Sequence, residues 1–228
     1  MSEPGSRRGR AHDAEGAREA ILNAAEEVFA EHGFDGARID AIAKASGYNK
    51  SLIFQYFDDK LGLYNEMIRR TDRETNELQA AILLRLAADE DTFTVDQFRP
   101  LLREFMKAYF DYLVQHPRVM RIFMWELAEG WQTYSKIASE RDLQDVEQFK
   151  PFLERAVQSG LFHSRFEPMQ QVLLAEFIVP SFLAILPLYR ILLPEKDTAS
   201  PAALAQAREF IADFVTRGLI RDETEAAP

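Results

Sequence analysis

The stretch Arg38–Lys60, RIDAIAKASGYNKSLIFQYFDDK, gathers side chains suited to holding duplex DNA. Asn49 and the amides after it offer donors at a helix N-terminus, where unpaired N–H groups and the helix dipole favour a phosphate oxygen. Lys50 adds a positive charge at the same place. Ser51 is small enough to let the backbone approach the bases. Gln55, one turn later, can present a bidentate amide to adenine, and Leu52 can touch a thymine methyl. Tyr56 carries a hydroxyl for phosphate, Tyr48 and Phe54 complete the set, and Lys60 stands where the chain would leave a groove. Arg38 can reach a phosphate from the start of the preceding helix. The plain alternative is a helical corner, with Asn49 as a cap, Lys50 and Lys60 as surface lysines, and Phe54 and Tyr56 as packing residues.

Such side chains act only if short helices hold them. Two are expected, about Arg38–Ala45 and Lys50–Phe57, broken by Ser46-Gly47, with Asn49 capping the second. Neither can bury itself alone. Packed on the Ile21/Val28/Phe29 face of a first helix they form a three-helix unit of helix-turn-helix type. Its second short helix enters a major groove N-terminus first, with Ile53 and Phe57 as inward anchors. The first helix is expected over about Ala14–Glu31, capped by Asp13 and stopped at Gly33; Ile21, Ala24, Ala25, Val28 and Phe29 keep the helical stripe. A long helix, about Leu61–Leu86, follows, with Leu63, Met67, Leu78, Ile82 and Leu86 among its apolar positions.

Composition bounds the rest. The chain has 228 residues, 47% of them apolar, which is globular and enough for a sizeable core. With no cysteine it has no disulfide scaffold, thiolate zinc site or cysteine nucleophile, and a reducing cytoplasm is permitted. The four histidines are too scattered for metal-ligand spacing, and no cofactor is expected. The net charge of −10 is unevenly spread: residues 36–60 hold four Lys/Arg against three Asp/Glu. A locally basic face can therefore still meet phosphate. Arg7, Arg8 and Arg10 sit in a flexible basic arm, 1–12, which is either a solvated tail or a minor-groove contact. No signal-peptide pattern is visible. The greasy stretch Val172–Leu193 could span a bilayer by length, but Glu176, Arg190 and two prolines favour a buried helix pair.

Strand signals are missing, and roughly nine or ten helices account for the pattern, an all-α protein. Thr94-Val-Asp-Gln97 resembles a capping box opening a helix to His116-Pro117; Pro100 implies a late start or an early bend. Further helices are expected at about Arg118–Glu129, Tyr134–Ser159 with a kink at Pro151 and a stop at Gly160, Pro168–Leu193, and Ser200-Pro201 to Leu219.

On the first of these later helices Phe105, Tyr109, Tyr112 and His116 share one face, beside a core face of Leu102, Met106, Phe110 and Leu113. Two phenols and an imidazole suit a pocket wall, and equally core packing with hydroxyls at its edge. Pro180 and Pro187 each remove a helix bond, to the carbonyls of Glu176 and Leu183. Glu176 beside Phe177 can then favour a ligand with a positive or hydrogen-donating group; the alternative is kinks that fit the helix to its neighbours, with Glu176 paired to an arginine. Trp125 and Trp131 flank a turn at Gly130 and either line a cavity mouth or cap the core.

The run IAKASG-Y-NKS-LIF-QYF-DDK resembles the TetR family signature, a helix-turn-helix closing in an aromatic–aromatic–Lys run that opens a long fourth helix. The strong resemblance covers Ala14 to about Tyr64, and the helix layout extends it loosely to the end. It implies a helix-turn-helix DNA-binding domain, 13–60, and a helical-bundle ligand-binding and dimerisation domain, 61–221; the polar end of the sequence, 222–228, is expected to be a disordered tail. It also implies a dimeric, cytoplasmic repressor of a palindromic operator, released by a small hydrophobic or aromatic effector. The last two helices of the family pair with their copies; here that maps onto the stripe of Leu204, Ala207, Phe210, Ile211 and Phe214. Departures are Ala37-Arg38 where a Thr cap is frequent, Leu52 where Thr is common, and Phe54 where Tyr is usual. Local enzyme motifs (G-x-S-x-G, H-E-x-x-H, a P-loop, G-x-G-x-x-G) are absent, so an enzyme is not expected. A helical-fold enzyme using residues distant in sequence, or a scaffold that only dimerises, is the alternative.

Overall fold

The computed structural model describes residues 5–87, 94–138, 150, 153–158, 162 and 166–220, with side chains over 14–73 and throughout the later stretches. Regular structure among the described residues is helical: α1 Gly5–Gly36, α2 Ile39–Ser46, α3 Lys50–Phe57, α4 Lys60–Ala87, α5 Val95–Gln115, α6 Pro117–Ala128, α7 Tyr134–Ile137, α8 Pro168–Leu192 and α9 Pro201–Leu219. A further helical stretch covers 153–158. The Asp13 cap, the side chains of Arg7, Arg8, Arg10, Leu78, Ile82 and Leu86, the Pro151 kink, the Gly160 stop and the tail 222–228 lie outside the described residues.

Two compact units form, one from Met1–Glu74 with Pro117–Ile137, the other from Thr75–His116 with Ala138–Pro228. This division differs from the expected boundary at residue 60. Leu63, Tyr64 and Met67 of α4 are sealed into the first unit's core, and Ile122 and Ile137 join the same cluster. Each such fully buried apolar side chain contributes roughly 1.5–3 kcal/mol, enough to assign the start of α4, α6 and α7 to the head.

In the first unit the expected α1 stripe is the buried one, with Ile21, Ala25 and Phe29 all but sealed from water. The helix extends further than Ala14–Glu31. It starts at Gly5, because adding a residue to a nucleated helix gains a bond at little cost, and it passes a break at Gly33 to reach Gly36. Residues 5–12 are thus helical where an arm was expected. Arg70 of α4 meets Glu26 at 2.5 Å, Asn23 at 2.7 Å and Glu19 at 3.3 Å on α1. The expected helix Tyr134–Ser159 is interrupted: Ile137 is held in the head's core, and Ala138, where the second unit resumes, is not helical.

In the second unit the capping box at Thr94 and Gln97 is present, and α5 begins at Val95 with Pro100 inside it, so there is no late start. Leu102, Met106, Phe110 and Leu113 face inward as expected, and from α9 so do Ile211, Ala212, Val215 and Leu219. Ionic rungs flank this seam: Arg103 to Asp213 at 2.5 Å and Glu209 at 2.7 Å, Lys107 to Glu209 at 2.5 Å, and Arg208 to Asp111 at 2.8 Å. Pro168 and Pro201 stand in the first turns of α8 and α9 behind the caps Glu167 and Ser200.

Two expectations change here. α8 is not part of a buried helix pair within one chain: only 17% of its most apolar window, mean hydropathy 2.0, is buried, and by length and composition alone it could cross a membrane. Leu174, Leu188, Ile191 and Leu192 are exposed. On α9, Phe210 and Phe214 are exposed and stacked on each other at 6.1 Å, whereas Ile211 is buried inside the unit. One helical step turns Ile211 by about 100° from Phe210, so the expected interface stripe divides between an inner and an outer face. Leu204 and Ala207 are intermediate in exposure.

Candidate nucleic-acid interface

The α2–α3 corner is set by Gly47, whose φ of 76° ends α2 in the left-handed region that a side chain disfavours. Asn49 caps α3, its Oδ1 accepting the Leu52 N–H at 2.9 Å. That leaves the side-chain amide N–H₂ as the group with which Asn49 could reach a phosphate. Ile53 and Phe57 are buried and lock the helix in place; Asn49, Lys50, Ser51, Phe54 and Gln55 are exposed along its other side. Tyr48, Leu52 and Tyr56 are partly buried against the head's core, so they border the exposed strip without standing fully outside it.

The cations are placed less simply. Lys50 Nζ lies 2.6 Å from Asp40 Oδ1 on α2, both side chains exposed. An exposed pair of this kind is worth about 0–1 kcal/mol, and phosphate can replace the carboxylate. Arg38 is exposed at the N-terminus of α2 and gives that helix no side-chain cap, in keeping with the missing Thr. Lys60 departs from its expected stance as a charge at the groove's exit. Its ammonium sits 4.6 Å from the centre of the Phe34 ring and 3.4 Å from the Asp35 carbonyl. Burial there pulls its pKa below the usual lysine value, against the opposing pull of Asp35. Lys60 thus ties the start of α4 to the α1–α2 junction.

Several contributors were not singled out in the sequence. Asp59 Oδ1 accepts the Gly62 N–H at 2.7 Å and so caps α4; the signal was an Asp three residues before Gly at a helix start. A Cβ on Gly62 would lie 2.1 Å from the Phe57 carbonyl oxygen, so only glycine lets α4 begin so close to the end of α3. Arg18 stacks over the Phe57 ring at 5.5 Å while pairing with Glu66. Asp40 had no signal beyond its charge, because its partner is ten residues away.

The candidate ligand residues separate. Phe105, Tyr109 and Tyr112 on α5, His116 at its C-cap, and Glu176 and Phe177 on α8 all belong to the second unit and are partly buried. Phe105 and Tyr109 stack at 5.8 Å, 2° from parallel, and Tyr112 and His116 at 4.3 Å. Burial pushes the Glu176 carboxyl up to about 7, and burial together with the Glu176 charge pushes the Tyr109 phenol upward. Trp125 does not join them. It is part of the first unit, its indole N–H donates to the Ala30 carbonyl at 3.2 Å, and its ring lies against Gly33. Trp125 and Trp131 do flank a turn, with Gly130 at φ 68°.

A three-helix head that buries one side of α3 and exposes the other, with a separate helical unit behind it in sequence, has the architecture of a helix-turn-helix protein. Residues 21–67 match the bacterial regulatory proteins of the tetR family, and residues 99–215 match the tetracyclin repressor-like C-terminal domain. The chain belongs to the TetR family. It is 28% identical over 224 residues to the HTH-type transcriptional repressor NicS of Pseudomonas putida, covering 93% of this chain and 96% of that one. It is 31% identical over 147 residues to the HTH-type transcriptional repressor SCO4008 of Streptomyces coelicolor, covering 59% and 68%. A solved TetR family transcription regulator from Marinobacter aquaeolei shares the fold at a TM-score of 0.64, with 19% identity over 93% of this chain and all of that one. The protein is a transcriptional regulator and not an enzyme.

Proposed function

We propose that this regulator is a repressor that binds a palindromic operator as a dimer in the cytoplasm, and that a small hydrophobic or aromatic effector in the second unit releases it. The observation that carries the reading is the two-sidedness of α3. Ile53 and Phe57 are clamped in the core, while Asn49, Lys50, Ser51, Phe54 and Gln55 lie on the water side. Gln55 then reads a base edge, and Lys50, the Asn49 amide and Arg38 hold phosphates, with Tyr48, Leu52, Tyr56 and Lys60 at the border of the contact. Phe210 and Phe214 of α9 and Ile191 and Leu192 of α8 are exposed apolar side chains, which a second copy would cover. Two heads related by that symmetry read half-sites about 34–36 Å apart, or a multiple of one helical turn. Two relatives that are themselves named repressors support the sign of the regulation.

The test is recovery of bound fragments from the host genome by the purified chain, followed by titration of the recovered site at several salt concentrations. On a log–log plot affinity falls by about 0.9 per phosphate neutralised. Lys50→Ala flattens that slope by about one phosphate, and Gln55→Ala costs about 1–3 kcal/mol at one base position. A monomeric protein, or one that retains no fragment at low salt, overturns the reading.

A further inference from the structure

We propose that Arg18 and Lys60 are positioning residues for operator reading: each lays its cation on an aromatic ring, and together they fix the α3–α4 elbow on α1 so that α3 meets the groove at one angle. This rests on the DNA-binding reading above and defines the part that Lys60 plays at the border of the contact.

The recognition helix cannot set its own angle. It has eight residues, of which Ile53 and Phe57 are buried. Burial of apolar surface is non-directional, so these anchors hold α3 down yet let it pivot. Its far end is tied to α4, because Asp58 and Asp59 alone separate Phe57 from Lys60. The Asp58 N–H donates to the Phe54 carbonyl at 2.9 Å and the Asp59 N–H to the Phe57 carbonyl at 2.7 Å, which closes the elbow. Whatever fixes Phe57 and the first turn of α4 therefore fixes α3.

Two cations meet those points. The Arg18 guanidinium of α1 lies 5.5 Å from the centre of the Phe57 ring and pairs with Glu66 of α4, so one side chain joins three helices. The Lys60 ammonium lies 4.6 Å from the centre of the Phe34 ring and 3.4 Å from the Asp35 carbonyl oxygen, both beyond the break in α1 at Gly33. Phe34 is itself held, stacked on Phe29 and edge-on to Tyr64 of α4. A cation over a ring face and a hydrogen bond have preferred directions that apolar burial lacks.

Basic side chains beside a reading helix are ordinarily phosphate contacts. Here each of the two already has two partners inside the head, which a phosphate would have to displace, whereas Lys50 meets an exposed carboxylate of Asp40. Arg18 and Lys60 therefore act on DNA through α3. Their loss should cost discrimination between sequences rather than phosphate charge.

The test titrates full-length Arg18→Met and Lys60→Met, which keep side-chain length without charge, against the recovered operator and a scrambled duplex at several salt concentrations. Circular dichroism first establishes that each variant is folded at the working temperature. The expected result is a loss of about tenfold on operator and of less than about twofold on the scrambled duplex. The salt slope on operator stays within about 0.3 of wild type, whereas Lys50→Ala flattens it by about 0.9. Lys60→Arg, which also stacks on a ring, recovers operator affinity to within about threefold of wild type. Phe34→Leu reproduces the Lys60→Met loss, and the double variant loses no more than either alone; if Phe34→Leu does not fold, the two methionine variants carry the test. A slope flattened by one phosphate overturns the proposal, as does an equal loss on both duplexes, which marks general destabilisation, or unchanged operator affinity. Those outcomes leave the DNA-binding reading standing; if wild type retains no fragment at low salt, that reading itself fails.

Discussion

The Tyr64 hydroxyl of α4 donates a 2.6 Å hydrogen bond to Glu126 of α6, and both side chains are buried in the first unit. The other carboxyl oxygen of Glu126 accepts the Tyr134 N–H at 3.1 Å. One acid therefore joins α4, α6 and the start of α7. Burial and the neighbouring acid push the Tyr64 phenol upward, so it stays a neutral donor across the physiological range. Tyr64→Phe keeps the ring, which packs edge-on to Phe29 and Phe34, but removes the donor. The expected loss is about 1–3 kcal/mol, measured by urea denaturation. An unchanged midpoint would mean that the bond adds nothing net.

Gly62 is where the head tolerates least. Gly62→Ala puts a methyl onto the Phe57 carbonyl, a backbone atom that cannot swing aside. Overpacking of this kind costs about 1–3 kcal/mol or more, and the displaced end of α3 should weaken operator binding as well. Thermal unfolding and operator titration of the same preparation check both. A variant with wild-type values in each would show that α4 can start elsewhere.

Asp40 lies 2.6 Å from the Lys50 ammonium, so under the proposed docking it would compete with phosphate for that charge. Asp40→Asn frees the ammonium and removes a negative charge beside the proposed phosphate contacts. Operator affinity should rise by roughly two- to fivefold and depend more steeply on salt, while stability stays within about 1 kcal/mol because the pair is exposed. Weaker binding in this variant would show that Asp40 orients Lys50 rather than restraining it.

Glu176 makes the protein's stability depend on pH. Its carboxyl titrates near 4.5 when unfolded and at about 7 when folded. The folded state therefore binds more protons between these values. The contribution is fully present below 4.5 and is lost as pH rises through 7. Relative to Glu176→Gln, wild type should lose up to about 3 kcal/mol across that interval. Denaturation of both proteins at pH values on either side of the interval measures the difference, and parallel curves would place the carboxyl in water.

The helix-turn-helix was legible in the sequence because its determinants are local. The α1 stripe, the Gly47 turn, the Asn49 cap and the Ile53/Phe57 anchors each depend on residues within a few turns, and the structure has them where the spacing put them. The caps of α5 and α9 and the first-turn prolines of α8 and α9 were readable for the same reason.

What the tertiary structure decided is which unit a residue serves and what its charge meets. Trp125 resembled a pocket residue until α6 proved to pack on α1, and Lys60 resembled a free cation until Phe34 and Asp35 came to face it. The stripe on α9 looked uniform in sequence, yet packing against α5 took Ile211 inward and left Phe210 and Phe214 outside. Periodicity tells which residues share a face, since that follows from the geometry of one helix. It does not tell which neighbour the face meets, because that contact joins positions tens of residues apart.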